Sequence, residues 1–304
     1  MCLIAFLLGA EPLHSLTVAS NRDEFWSRPT LPLQAWTGPR GPVIYSGRDG
    51  LAGGTWLGVS AVGRVAMLTN VRAGKAEDAP RSRGELTTRW LTGQTKDTTE
   101  FLECTTPDAY GGFNVVLGDM ASKTPWVWLS NKPPADDLYQ RNTQRLPLPQ
   151  GWWGRELLPG TYTLSNASLN SPWPKSQRLQ RALTEAVTSC PDDLEKQQSL
   201  LFSELMDKRS APDDQLPHTG VPLDLERGLS SPFVHLPDRH YGTRSSLLVW
   251  ANAQSAQMRE WTHPPELKST SIRTGDAGGA TNGPLETEHY KQISISTWGI
   301  PASS

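Results

Sequence analysis

Strand-like and helix-like segments are segregated along this chain, and that order restricts its fold more than any other feature. Apolar runs of strand length fall at residues 3–8, 15–20, 55–59, 64–70, 113–117, 126–129 and 161–164, each bounded by Gly, Pro, Asn or Asp. Helical spacing then takes over: Leu179, Leu183 and Val187 recur at the period of a helix face, and Leu194, Leu201, Phe202 and Leu205 share another. Strands return at 245–251, 257–261 and 293–298. A parallel βαβ fold would interleave the two patterns, so this order predicts an α+β domain of sheets packed under helices. A shorter helix is expected at 83–91, with Ser82 as its N-cap and Glu85 closing a capping box.

Residues 210–240 are rich in Pro, Asp and Ser without periodicity, which predicts a functional loop or lid. Residues 266–288 are polar and Gly/Thr-rich, which predicts an excursion of a hairpin. With no internal repeat, residues 1–304 read as one domain, long enough to bury a core without staples. Twelve scattered tryptophans are expected in the core and in pocket walls.

A formal charge of -2 with interspersed signs gives no basic face for nucleic acid and no polybasic run for an anionic membrane. No segment has the roughly 18 uninterrupted apolar residues of a transmembrane helix. Residues 3–9 lack a signal peptide's basic flank and are soon interrupted by Glu11. Cys2, Cys104 and Cys190 are too few and wrongly spaced for a disulfide framework or a structural zinc, so a reducing compartment, the cytoplasm, is expected. The histidines, at positions 14, 218, 235, 240, 263 and 289, have no ligand spacing, and phosphate-loop and dinucleotide fingerprints are absent. No metal set and no required cofactor are predicted, and a haem would have to be held noncovalently. Small apolar or amphipathic partners remain.

Cys2 is the residue most suited to chemistry. Its small side chain permits removal of Met1, which would leave a thiol and an α-amine on one carbon, the amine having an ordinary pKa near ~8 and able to act as base. A small apolar strand end is the competing reading. Asn21-Arg22-Asp23-Glu24 follows a strand-like run directly. Such a cluster can cap a turn. Alternatively, if the first two strands pair, Asp23 would bond the Cys2 amine while Asn21 or Arg22 faces a ligand. Asn70 and Asn166 sit at comparable strand ends and could donate to an oxyanion, with Asn170 a competitor for the second role. Arg244, opening a strong apolar strand, could hold a carboxylate or the thiolate, or form a structural ion pair.

These pieces, in order, resemble the NRDE family, also called the transport and Golgi organisation protein 2 family. The likeness runs through Met1-Cys2, Asn21 to Glu24, Gly54-Thr55-Trp56-Leu57-Gly58, Leu68 to Arg72, Phe113-Asn114, Leu164-Ser165-Asn166, Pro172-Trp173-Pro174-Lys175, the 229–234 segment and Tyr241 to Ser246. The chain is also similar, more distantly, to cysteine-type N-terminal-nucleophile hydrolases, which implies a four-layer αββα sandwich of antiparallel sheets. That resemblance assigns catalytic roles to Cys2, Asp23, Asn70, Asn166 and Arg244. Those enzymes tend to carry an arginine three residues before the aspartate, where this chain has Ser20 and instead places Arg22 next to Asp23. The nearer family implies intracellular handling of haem or of an acyl-CoA or lipid-like ligand, with Asn21, Arg22, Glu24, Arg72 and Tyr241 as ligand-binding residues. Arg22 or Arg244 would meet propionates or phosphates, and Cys2, His235 or His240 an iron. The remoter likeness implies an amide or thioester hydrolase.

Overall fold

The computed structural model describes residues 2–9, 16–38, 41–72, 79–122, 124–134, 146–264 and 289–296. The first sheet has the order β10 (Gly160–Leu164), β1 (Cys2–Leu8), β2 (Leu16–Phe25), β12 (Tyr241–Ala251), β13 (Ala256–Thr262) and β14 (Tyr290–Ile295), with the short β11 (His235–Leu236) paired to β12. The second runs in sequence order from β3 (Thr30–Thr37) through β4 (Val43–Asp49), β5 (Leu57–Ser60), β6 (Arg64–Asn70), β7 (Phe113–Asp119) and β8 (Trp126–Ser130) to β9 (Trp153–Leu157). Neighbouring strands are antiparallel in both sheets.

Side-chain alternation sorts the apolar residues into layers. From β1, Ile4 and Phe6 enter a core shared with Leu57, Val65, Met67 and Trp128 of the second sheet. Leu3 and Ala5 point the other way, onto Leu179 and Leu183 of α3 (Pro174–Ser189) and Leu201 and Leu205 of α4 (Leu194–Leu205). On the far side, Ala66, Leu68, Val115 and Leu117 pack under Leu86 and Trp90 of α1 (Gly84–Leu91) and Phe101 of α2 (Thr98–Glu103). The result is the αββα sandwich. Because both faces of β1 are covered, its sequence is a continuous apolar run with no polar alternation.

Several boundaries differ from the sequence reading. The strand expected at 55–59 is Leu57–Ser60, because Thr55 turns its hydroxyl back to Gly47 O (2.8 Å) and Leu57 O (3.2 Å). The last strand is Tyr290–Ile295, shifted toward the N-terminus. Ser82 is not the cap of α1: Arg83 occupies that position with helical dihedrals and no side-chain cap bond, and Glu85 pairs with Arg81 and Arg89 instead. The 210–240 segment contains a helix, α5 (Leu223–Gly228), and buries Leu229 and Val234 against Tyr241. The expected 266–288 excursion lies outside the described residues. Among the described residues, no helix is long and apolar enough to cross a membrane.

Candidate functional site

β1 and β2 pair as a hairpin with Cys2 opposite Arg22, so Asp23 lies one residue further on, toward the backbone nitrogen of Cys2. The polar cluster is therefore not a turn after a strand. β2 continues through Phe25, and residues 21–24 lie inside it. Strand alternation then splits the cluster between two faces.

Arg22 and Glu24 face the gap between the sheets. There a cavity of about 630 Å³ opens, its wall including Cys2, Asp23, Trp56 and Asn70. Arg22 is 4% exposed and lies over the Trp56 ring at 4.3 Å, with Nη1 donating to Thr30 Oγ1 (3.0 Å) and Nη2 near Glu24 and Asp49 (both 3.4 Å). Arg28 joins this network by donating from Nε to Asp49 at 2.6 Å. Arg81 and Arg83 add charge to the lining, and the exposed side chains of Phe25 and Leu51 add apolar surface. Gly54 is required at the floor, since a Cβ there would stand 2.5 Å from the backbone oxygen of Gly84 at the start of α1.

Asn21 and the Asp23 side chain take the other face, Asp23 still bordering the cavity. Asn21 is spent on structure: its Nδ2 donates to Leu205 O (2.7 Å) and Pro232 O (2.9 Å), and its Oδ1 accepts from Ser246 Oγ (2.6 Å). This replaces the expected ligand contact, because the amide welds α4 and the 229–234 segment to the sheet. Asp23 is 1% exposed and accepts from Thr243 Oγ1 at 2.8 Å. Burial pushes its carboxyl above the usual range, while Lys175, the positive chain terminus, the Thr243 bond and Arg72 pull it down. Burial likewise pushes the Cys2 thiol up; the chain terminus and Arg22 lower it, and Asp23 and Glu24 raise it.

Asn70 ends β6 and lines the cavity. Asn166 does not line the cavity. Its Nδ2 donates to Asn70 O (2.9 Å) and its own carbonyl accepts from Arg72 N (2.7 Å), so it holds the end of β6 in place. Asn170 has φ 61° and accepts from Thr163 N at 2.8 Å, which makes it a turn residue, and like Asn166 it does not line the cavity.

Five other residues expected at the site do not line the cavity. Arg244, at the point in β12 where the β2–β12 register shifts, donates from Nη1 to the carbonyls of Phe25 (3.2 Å) and Trp26 (3.0 Å) and so clamps the turn after β2. Arg72 pairs with Glu226 at 2.9 Å and lies over the Trp173 ring, and Tyr241 packs edge-on to Phe25 in a small core of its own. His235 and His240 sit against Trp26, away from the cavity lining. Among the described residues, no group of three or more His, Cys, Asp or Glu side chains could hold a metal ion.

The sequence reading did not single out Lys175 as a site residue, although it noted the Pro172-Trp173-Pro174-Lys175 motif. Lys175 is 2% exposed, and its ammonium is pulled down to about 8 by burial, with Asp23 and Cys2 opposing the fall. The available signal was a lysine in a helix's first turn, where an acid is preferred.

Residues 1–263 match the family model described as transport and Golgi organisation 2. The bovine Transport and Golgi organization protein 2 homolog is 32% identical over 269 residues, covering 83% of this chain and 89% of the relative. The human homolog is 32% identical over 272 residues with the same coverage, and the Drosophila melanogaster protein 27% identical over 277 residues, covering 84% and 89%. Among solved structures, a mutant conjugated bile acid hydrolase from Clostridium perfringens aligns with a TM-score of 0.45 and 8% identity, covering 88% of this chain and 91% of that one. With the family model spanning all but the C-terminal residues and relatives above 30% identity along most of their length, the chain belongs to the transport and Golgi organisation 2 family.

Proposed function

We propose that this protein handles an acyl-bearing amphipathic ligand, such as an acyl-CoA or a related lipid, and that Cys2 cleaves its thioester or amide bond once the chain begins at that residue. One observation carries the reading: Cys2, Asp23 and Asn70 meet on the wall of a single cavity of about 630 Å³. The α-amine of an N-terminal cysteine takes the thiol proton while Sγ bonds to the acyl carbon. The side-chain amide of Asn70 offers a donor to the oxyanion that forms, a type of contact worth about 10²–10³ in rate. When the tetrahedral species collapses, the carbon–sulfur or carbon–nitrogen bond breaks and the leaving group takes the proton from the amine. Water then hydrolyses the acyl-cysteine, with the amine again serving as base. Arg81 and Arg83 suit an anionic part of the ligand, and Phe25 and Leu51 an apolar part.

Transport without turnover is the second reading. It is favoured by the burial that raises the Cys2 thiol and disfavours its thiolate. The relatives' names, which speak of transport, agree with it. On this reading the cavity holds an acyl-CoA-like ligand or a haem noncovalently, and Cys2 is the lining residue suited to meet an iron. The free cysteines Cys2, Cys104 and Cys190 fit a reducing compartment, and we take the cytoplasm as the place of action.

Intact mass spectrometry before and after brief exposure to an activated acyl ester tests the choice. The expected result is a chain lacking Met1 that gains one acyl group, with no adduct in Cys2→Ala. An unreactive Cys2 in a protein that forms a one-to-one noncovalent complex with haemin or an acyl-CoA would replace the hydrolase by the carrier.

A further inference from the structure

Lys175 breaks a local rule at the start of α3. That helix has Pro174 at its first position and no acidic residue in its first turn, and the lysine there faces the positive end of the helix dipole. It is also among the largest fully buried side chains of the molecule. Burying an ammonium at a helix N-terminus is unfavourable on both counts, and such violations concentrate at functional sites.

The placement explains what the ammonium meets. Leu179 and Leu183, one and two turns further along the same face, pack on Leu3, Ala5 and Ala19 of β1 and β2. Lys175 therefore stands one turn nearer the strand ends, beside the start of β1 and the Asp23 end of β2. The helix start is anchored there because Trp173 forms the platform for Arg72, whose backbone N–H bonds Asn166 O at 2.7 Å. The charged groups acting on the ammonium are Asp23 of β2, Arg72 after β6, Cys2 of β1 and Glu226 of α5. The chain terminus, Arg22 and Glu24 of β2 and Tyr241 of β12 also act on Cys2, the first two favouring its thiolate and Glu24 opposing it.

We propose that Lys175 is a positioning residue for proton transfer at Cys2: its ammonium offsets the Asp23 carboxylate, which leaves the Cys2 α-amine uncharged and able to accept the thiol proton. The inference rests on the hydrolase reading of the site. A carboxylate alone beside the amine would hold it as an ammonium with no capacity for a proton. With Lys175 present, one proton moves from Sγ to the amine, the sulfur keeps the electron pair, and Lys175 neither gains nor loses a proton.

The test is the pH profile of Cys2 alkylation by iodoacetamide in the full processed chain, read on the N-terminal peptide by mass spectrometry. This profile needs no acyl substrate, so it is independent of whether an acyl ester is turned over. Lys175→Met is expected to raise the midpoint by about 1 pH unit, the effect of losing one nearby cation, while Lys175→Arg stays near wild type. Lys175→Gln provides the same charge deletion if the Met variant does not fold. A charge-deleted variant that melts like wild type yet keeps the wild-type midpoint overturns the proposal. A raised midpoint in a protein that forms no acyl adduct would uphold the electrostatic role and sink only the hydrolase.

Discussion

Glu260 and His263 titrate in opposite senses although they lie on one short stretch of chain. Glu260 is 1% exposed and accepts from Leu33 N at 2.5 Å, tying β13 of one sheet to β3 of the other. Burial raises its carboxyl from 4.5 to about 7, against the bonds from Leu33 and Ser245. Burial lowers the His263 imidazole from 6.5 to about 4, and His289 and Lys208 push the same way. The folded state thus binds more protons than the unfolded at Glu260 between pH 4.5 and 7, so stability falls as pH rises through that window. At His263 the folded state binds fewer between 4 and 6.5, so stability falls as pH drops. The two slopes nearly cancel where they overlap. Glu260→Gln should uncover the histidine: urea unfolding is expected to show a gain of up to about 3 kcal/mol at pH 8, none at pH 4, and stability rising with pH in between. Equal stabilities of variant and wild type at pH 8 would refute this.

At the scale of elements, α5 is coupled to the site through one buried ion pair. Arg72 and Glu226 are each 5% exposed and 2.9 Å apart, and Glu226 also accepts from Thr219 N at 2.8 Å. Among the described residues, Arg72 Nε and Nη2 have no hydrogen-bond partner, so Glu226 carries most of the compensation for that buried charge there. Glu226→Ala is expected to cost about 3–5 kcal/mol, with most of the loss recovered in Arg72→Met/Glu226→Leu, which buries no charge. Denaturant titration of the single and double variants checks both halves. The ends of elements were also where the sequence was hardest to read. β3 and β4 escaped notice because they are half-exposed and flanked or interrupted by Pro32 and Pro42, and the β3–β4 register is irregular between Leu31 and Gln34. The sequence pattern ends the second strand at Ser20 because a run of Asn, Arg, Asp and Glu is not a strand pattern. It becomes one only when Ser246, Thr243, Leu205 and Pro232 satisfy those side chains from elsewhere in the chain.

Across the whole molecule, the layer between the sheets carries the stability that keeps the cavity's two walls together. Phe6 is fully buried there and stacks on Tyr162 with ring centroids 5.3 Å apart. Phe6→Ala is expected to cost about 3–5 kcal/mol in thermal or urea unfolding, whereas Leu200→Ala, at a side chain 40% exposed, should stay within about 0.5 kcal/mol of wild type. The sequence by itself determined the class of fold, because β1, β12 and the α3 and α4 stripes are buried by local patterns that period and length reveal. It also marked Cys2, Asp23 and Asn70, since chemistry-bearing side chains at strand positions are visible in one dimension. Only the tertiary structure decided which neighbours were spent on scaffolding. Asn21, Asn166 and Arg244 bond backbone from distant segments, and Lys175 reaches Cys2 and Asp23 across more than 150 positions of sequence. Burial and electrostatic proximity are properties of packed layers, and no local pattern encodes them.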